Sequence, residues 1–232
     1  MPSAPLSVVS LSGGLDSCVA AAAARAAGFD LALLHADYGQ LTEGRERAAF
    51  EAIADAYGAR RRLVVPFAGL RAIGGSALTD ASIPLPEGDL DRAGVPVSYV
   101  PFRNAHLLAT AVSWAEVLGA TAVHVGFVEE DSSGYPDCRE AFLKAFEAAA
   151  NLGTRPETNL AFHAPLLHLR KRDIVRLGVE LGAPLHLTWS CYQAEGEACG
   201  RCDSCLLRLR GFKEAGVADP IPYAFIPADL RP

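Results

Sequence analysis

Residues 6–28, LSVVSLSGGLDSCVAAAAARAAG, leave the chain little choice of fold. A β-rich run, LSVVSLS (6–12), ends in two glycines. An alanine-rich helix, LDSCVAAAAARAAG (15–28), follows at once and stops at Gly28. A strand that feeds directly into a helix finds its next sheet neighbour by a crossover, so the unit reads as the first βα of a parallel sheet. The pattern then repeats. DLALLHADYG (30–39) is short and apolar, a buried strand. TEGRERAAFEAIADAYG (42–58) is an amphipathic helix with Thr42 as its N-cap, and ARRRLVVPF (59–67) is a third strand. FRNAHLLATAVSWAEVLG (102–119), EAFLKAFEAAANLG (140–153) and RKRDIVRLGVELG (170–182) read as helices; ATAVHVGF (120–127) and LAFHAPLL (160–167) read as the fourth and fifth strands. The expected fold is α/β: an open, mainly parallel five-stranded sheet with helices on both faces and right-handed crossovers. Residues 68–98 are rich in Gly, Pro and Asp and are expected as a long, mobile excursion. Residues 128–139 are expected as a polar loop.

The glycine turn carries the first chemical signal. A strand, a tight turn and a helix start aim backbone N–H groups and the positive end of a helix dipole at one spot, which suits an anion. Gly13 and Gly14 permit unusual dihedrals and close approach of a phosphate. Ser12 and Ser17 offer hydroxyls, and Leu11 and Leu15 frame the loop. Asp16 would repel a phosphate if it pointed inward, so it either ties the loop together or helps to hold Mg²⁺. The GxxxxGK[ST] pattern of γ-phosphoryl transfer is absent. S-G-G-x-D-S instead resembles the PP-loop of the ATP pyrophosphatases, which implies an adenine nucleotide alpha hydrolase-like fold and cleavage of ATP between the α- and β-phosphates.

The last fifty residues change character, so a division into a nucleotide-binding domain, 1–186, and a C-terminal metal-binding segment, 187–232, is expected. CYQAEGEACGRCDSC supplies Cys191, Cys199, Cys202 and Cys205. Four thiolates at this spacing close a tetrahedron around Zn²⁺. An iron–sulfur cluster is the competing occupant. No proline follows the last cysteine, and glycines at 196 and 200 suit a zinc knuckle, so one structural Zn²⁺ per chain is expected. Cys18 reads as a small core residue and Cys138 as an unremarkable loop thiol. His35, His124 and His168 sit among apolar residues and are expected as core histidines. Arg60, Arg61 and Arg62 read as the exposed edge of a turn.

Composition narrows the classes further. Half of the 232 residues are hydrophobic and the formal charge is −6. This is enough apolar sequence for a real core, and too acidic for a stable nucleic-acid partner, which calls for a basic face. No run of eighteen apolar residues suggests a membrane span, and MPSAPLSVVSLS lacks the basic start and long apolar core of a signal peptide. A cytoplasmic location is expected.

The loop and the cysteines occur together with DYGQ (37–40), GGSALTD (74–80), YVPFRN (99–104), SGYPDCR (133–139) and LTWSCY (187–192). In combination these motifs resemble the QueC family of 7-cyano-7-deazaguanine synthases, from about residue 7 to residue 223. Two departures are Phe102, where the family often has a small residue, and EEDSS before the glycine of SGYPDCR. The resemblance implies a ligase that joins 7-carboxy-7-deazaguanine and ammonia at the expense of ATP, within queuosine biosynthesis, and a homodimer. It implies ATP contacts from Leu11, Ser12, Gly13, Gly14, Leu15, Asp16, Ser17 and Asp37. Substrate contacts fall to Arg103, Asn104, Tyr135, Asp137 and Arg139, with Asp137 reading the guanine-like edge and Tyr135 stacking on the base. Catalytic roles fall to Asp16, Ser17, Arg103 and Lys171. A related enzyme that adenylates a deazaguanine carboxylate for transfer to a protein or nucleic acid is the alternative reading.

Overall fold

The computed structural model describes residues 4–88, 94–129 and 134–231. Five parallel strands, β1 (Leu6–Ser10), β2 (Asp30–Asp37), β3 (Arg61–Pro66), β4 (Ala122–His124) and β5 (Ala161–His163), lie in the order β3-β2-β1-β4-β5. The helices are α1 (Leu15–Ala26), α2 (Glu43–Ala56), α3 (Ala68–Ile73), α4 (Arg103–Leu118), α5 (Glu140–Gly153), α6 (Lys171–Glu180) and α7 (Asp203–Ala215). The chain winds from β1 outward to β3, then returns to β1's other side with β4. That reversal puts the topological switch between β1 and β4, and in open α/β sheets ligands bind outside the strands' carboxyl ends at this point.

Strand alternation splits the core in two. Val8, Ala32, Leu34 and Val123 face α4 and α5, where they pack on Leu108, Ala111, Ala115 and Leu143. Val9, Leu11, Leu31 and Leu33 face α1 and α2, against Cys18, Ala21, Phe50 and Ile53. Both faces of β1 are thus buried, its two serines included, and Ser7 Oγ is satisfied by His124 Nδ1 at 2.7 Å. The alanines of α1 do two jobs. They cost little as helix formers, and their small side chains let the helix lie between the sheet and a third layer. In that layer Val19 and Ala20 meet Ile174, Val175 and Phe212 of α6 and α7.

Three local expectations change. Thr42 precedes α2 but makes no cap hydrogen bond; its hydroxyl donates to Glu46 Oε1 at 2.8 Å instead. The excursion after β3 contains α3, hidden by its glycines, and residues 74–88 and 94–98 continue without a strand. Residues 89–93 and 130–133, parts of the expected excursion and polar loop, lie outside the described residues. His168 is 62 % exposed beside Glu140, whereas His35 and His124 are buried as expected. The step of HAPLLHLR that follows Leu166 and Leu167 turns it outward just before α6.

Candidate active site

The loop between β1 and α1 is tied from within. Ser12 Oγ accepts from Gly14 N at 3.2 Å, Ser17 Oγ accepts from Ser12 N at 3.2 Å, and Ser17 Oγ donates to Gly14 O at 3.0 Å. Gly13 adopts φ +89°, and a Cβ there would lie 2.6 Å from the Glu46 carbonyl oxygen, so glycine is required on two counts. Gly14 occupies the N-cap of α1 with no side chain over the helix end. The first-turn N–H groups therefore stay available to a ligand. Leu11, Ser12, Gly14, Leu15, Asp16 and Ser17 all line one cleft, while Gly13 holds the loop against α2.

Asp16 does not stand alone. The Lys171 ammonium donates to both of its carboxylate oxygens, at 2.8 and 2.9 Å. Lys171 is 7 % exposed, at the start of α6, 155 residues from its partner. The pair holds the negative Asp16 beside an anion site with a compensating cation. Two glycines make room for this arrangement. A Cβ at Gly126, just past β4, would lie 2.7 to 2.8 Å from backbone atoms of Asp16 and Ser17. One at Gly211 of α7 would lie 2.4 Å from Lys171 Cγ.

Arg103 forms the opposite wall. It opens α4 after Phe102, whose φ of 57° is the one positive value outside glycine among the described residues. Left-handed backbone is strained for a bulky residue. The Arg103 guanidinium donates to the Tyr38 hydroxyl at 3.0 Å and sits over the Tyr38 and Tyr135 rings, 5.1 and 6.0 Å from their centroids. Tyr135 lines the cleft, with its hydroxyl donating to Ser98 Oγ at 3.0 Å. Asn104 lines it as well.

Other expected residues fall elsewhere. Asp137 is 3 % exposed, and its two oxygens accept from Asn104 N at 2.9 Å and Asn104 Nδ2 at 3.1 Å. It supplies the cap that α4 lacks and is not among the residues that line the cleft, while each oxygen keeps a further lone pair. Arg139 is exposed at the N-cap of α5, outside the cleft. Asp37 lies behind the cleft wall, 2.9 Å from Arg47 and 3.3 Å from His35. Cys138 lines the cleft, but burial, with the Asp137 charge adding to it, pushes its thiol up to about 12, so it stays protonated. Cys18 is fully buried, as expected of a core residue.

Four lining residues were assigned no role from the sequence, although two of them lie in LTWSCY. Glu46, Trp189, Tyr192 and Arg208 all face the cleft. Arg208, 1 % exposed, donates twice to Asp219 at 2.8 and 2.9 Å and to Thr188 Oγ1 at 2.7 Å. In sequence it reads as a solvated charge on α7.

Cys191, Cys199, Cys202 and Cys205 bring their sulfurs within 4.8 Å of one another, and none is in a disulfide. A tetrahedron of Zn–S bonds has sulfur–sulfur edges of about 3.8 Å, and Cys199 Sγ and Cys205 Sγ are 3.8 Å apart. The amides of Cys199, Arg201 and Cys202 also point at cluster sulfurs, at 3.4 Å each. The donor set fits a tetrahedral thiolate metal centre. The tail closes over its own cluster: Ala198 pairs with Tyr223, and Ile221 is buried beside Cys202 and Cys205. Trp189 N donates to Gly13 O at 2.8 Å, which ties the segment leading into the cluster to the loop, and Cys191 O lies 3.4 Å from Thr42 Oγ1.

The chain matches the family profile described as queuosine biosynthesis protein QueC over residues 6–216. It is 56% identical over 216 residues to the 7-cyano-7-deazaguanine synthase of Chlorobium phaeobacteroides, covering 93% of this chain and 96% of the relative. It is 54% identical over 227 residues to that of Acidobacterium capsulatum, covering 96% and 98%. Among solved structures, a 4-thiouridine synthetase–RNA complex with bound ATP superposes with a TM-score of 0.50 at 18% identity, over 77% of this chain and 41% of that one. At that identity the likeness concerns the fold alone.

Proposed function

From the premise that this chain belongs to the QueC family, we propose how its cleft carries out the family's reaction. The activity is 7-cyano-7-deazaguanine synthesis in queuosine biosynthesis, and the enzyme is an ATP-dependent ligase. Transfer to a protein or nucleic acid is not favoured, because relatives matched over nearly their whole length carry the synthase name.

In our reading the substrates are 7-carboxy-7-deazaguanine, ammonia and ATP. A carboxylate is a poor electrophile, because its charge is delocalised and oxide is a poor leaving group. Attack of its oxygen on the α-phosphorus expels pyrophosphate and makes AMP the leaving group. Ammonia displaces that AMP to give an amide. A second adenylation, on the amide oxygen, lets AMP leave again as the C≡N bond forms. No covalent enzyme intermediate is needed, so the protein contributes positioning and charge stabilisation.

The loop from Leu11 to Ser17 would receive the pyrophosphate on the α1 N-terminus. Asp16, Ser17, Arg103 and Lys171 would act on the reacting groups. Lys171 keeps Asp16 from repelling the phosphates, and Arg103 offers a forked cation for a carboxylate or phosphate. Tyr135 and Asn104 would line the base pocket. Mg²⁺ would accompany ATP, and Cys191, Cys199, Cys202 and Cys205 would hold one Zn²⁺, which in a closed four-sulfur site would supply folding energy and leave no position for substrate. We retain 187–232 as the metal-binding segment, and a cytoplasmic homodimer on the strength of the family resemblance. No helix among the described residues is long and apolar enough to cross a membrane.

The observation that carries this reading is the shared cleft at the β1/β4 switch, lined by the loop, the Asp16–Lys171 pair and Arg103. The test is an oxygen label. With both carboxylate oxygens of the substrate enriched in ¹⁸O, each of the two AMP molecules released per turnover carries one label. AMP without label excludes an adenylated acid.

A further inference from the structure

Ammonia has three N–H bonds and a nitrile nitrogen has none. The reaction proposed above therefore strips three protons from one nitrogen. The first leaves when ammonia, its lone pair now bonded to carbon, expels AMP. The second leaves the O-adenylated amide. The third leaves as the nitrogen electron pair forms the last C–N bond and the C–O bond breaks, releasing AMP. Some group beside the substrate must take them.

The inventory of acceptors in the cleft is short. No histidine lines it among the described residues, and its carboxylates are Asp16 and Glu46. Lys171 occupies both oxygens of Asp16. Thiols and phenols already carry their proton near neutrality, which sets aside Tyr135 and Tyr192, and burial pushes Cys138 up to about 12 and Tyr38 higher still. Glu46 remains. Its Oε1 accepts from Thr42 Oγ1 at 2.8 Å and its Oε2 from Gln40 Nε2 at 3.2 Å. These bonds orient the carboxylate and leave each oxygen a further lone pair. Among the described residues no cation lies within ion-pair distance of it.

We propose that Glu46, held by Gln40 and Thr42 at the cleft wall, is the proton acceptor for the nitrogen during amide and nitrile formation. The proposal rests on the reaction assigned above. Its electrostatics suit the task. Burial pushes the Glu46 carboxyl up to about 7, against the lowering by Thr42, Arg103 and Gln40; Asp37 adds to the rise. A base with that value is half ionised at neutral pH and strong enough to accept a proton. The charged and titratable groups that act on it are Asp37 at the end of β2, Tyr38 just after it and Arg103 from α4; Glu43, Arg45 and Arg47 share its helix.

The experiment compares wild type, Glu46→Gln and Glu46→Asp in two assays. One is ATP–pyrophosphate exchange driven by 7-carboxy-7-deazaguanine without ammonia, which needs no acceptor. The other is conversion of the amide to the nitrile with ATP, which avoids ammonia's own titration. In Glu46→Gln the ratio of nitrile formation to exchange falls by about a hundredfold or more, the range for loss of a general base. The wild-type nitrile rate rises through a limb near pH 7; Glu46→Gln lacks this limb and Glu46→Asp recovers it, displaced. Exchange and nitrile formation falling together would make Glu46 a binding residue and overturn the proposal, as would an unchanged limb in Glu46→Gln. Absence of acid-driven exchange in the wild type would instead overturn the reaction assigned to the cleft.

Discussion

Gly211→Ala sets two physical effects against each other. Gly211 lies inside α7. On propensity alone, alanine at a helix-interior glycine stabilises by about 1 kcal/mol. The new Cβ, however, would lie 2.4 Å from Lys171 Cγ, 3.0 Å from Lys171 Cβ and 3.1 Å from its carbonyl carbon. These atoms are the stem and backbone of α6, not the loose end of a side chain. Overpacking of this kind costs roughly 1–3 kcal/mol, so the net expectation is a loss of about 1 kcal/mol, equivalent to about 2–4 °C in Tm for a domain of this size. The displacement has a second consequence, because Lys171 is the cation that compensates Asp16. Moving its stem lengthens the 2.8 Å contact and exposes the bound phosphates to the Asp16 charge. ATP affinity should fall with Tm. Gly153→Ala is the control: its Cβ would meet nothing within 4 Å, and a gain of a few tenths of a kcal/mol is expected at that helix end. Thermal unfolding and calorimetric ATP titration measure both effects. A Gly211→Ala protein with raised Tm and unchanged ATP affinity would refute the argument that this glycine exists to seat Lys171.

Three further outcomes are expected. Arg208→Met leaves Asp219 buried at 6 % exposure without its cation, and urea unfolding should show a loss of about 3–5 kcal/mol; a loss under 1 kcal/mol would mean that the pair is idle. The Glu46 carboxyl sits at about 7 against an ordinary 4.5, so the folded protein binds its proton more tightly than the unfolded chain. Stability from that group is full below about 4.5 and lost as pH rises through 7, by at most about 3 kcal/mol. Glu46→Gln should therefore be more stable than wild type at pH 8.5 and gain nothing at pH 4.5, measured by urea unfolding at both. Stripping the metal from the four cysteines should lower Tm and ATP affinity together, because Trp189 and Cys191 hold Gly13 and Thr42. Chelation with metal content measured in parallel checks this, and ATP affinity surviving metal loss would contradict it.

The readable parts of the sequence were those whose signal is local. The strand–glycine–helix unit, the three-residue cysteine spacing and the alternation of apolar strands with helices each lie within thirty residues, and the sheet and loop formed as expected. What failed to show depends on partners far along the chain. Lys171 reads more readily as a solvated helix-end lysine, and only the fold brings it to Asp16. Asp137 reads as a loop carboxylate, and only the fold buries it against Asn104, 33 residues away. Glu46 sits in the charged run TEGRER, and its burial comes from the Gln40–Thr42 turn folding back over it. Arg208 is disguised in LLRLR by the same rule. A charge reads as surface by default, and its burial appears only with the counter-charge that compensates it.

The most direct test of the central claim is the identity and count of products. The protein is incubated with ATP, Mg²⁺, ammonium and 7-carboxy-7-deazaguanine, and the mixture is resolved by mass spectrometry. The account predicts 7-cyano-7-deazaguanine with two AMP and two pyrophosphate for each nitrile, and no ADP. Release of ADP, or ATP consumed to AMP with no nitrile formed from an intact, metal-loaded protein, would contradict it.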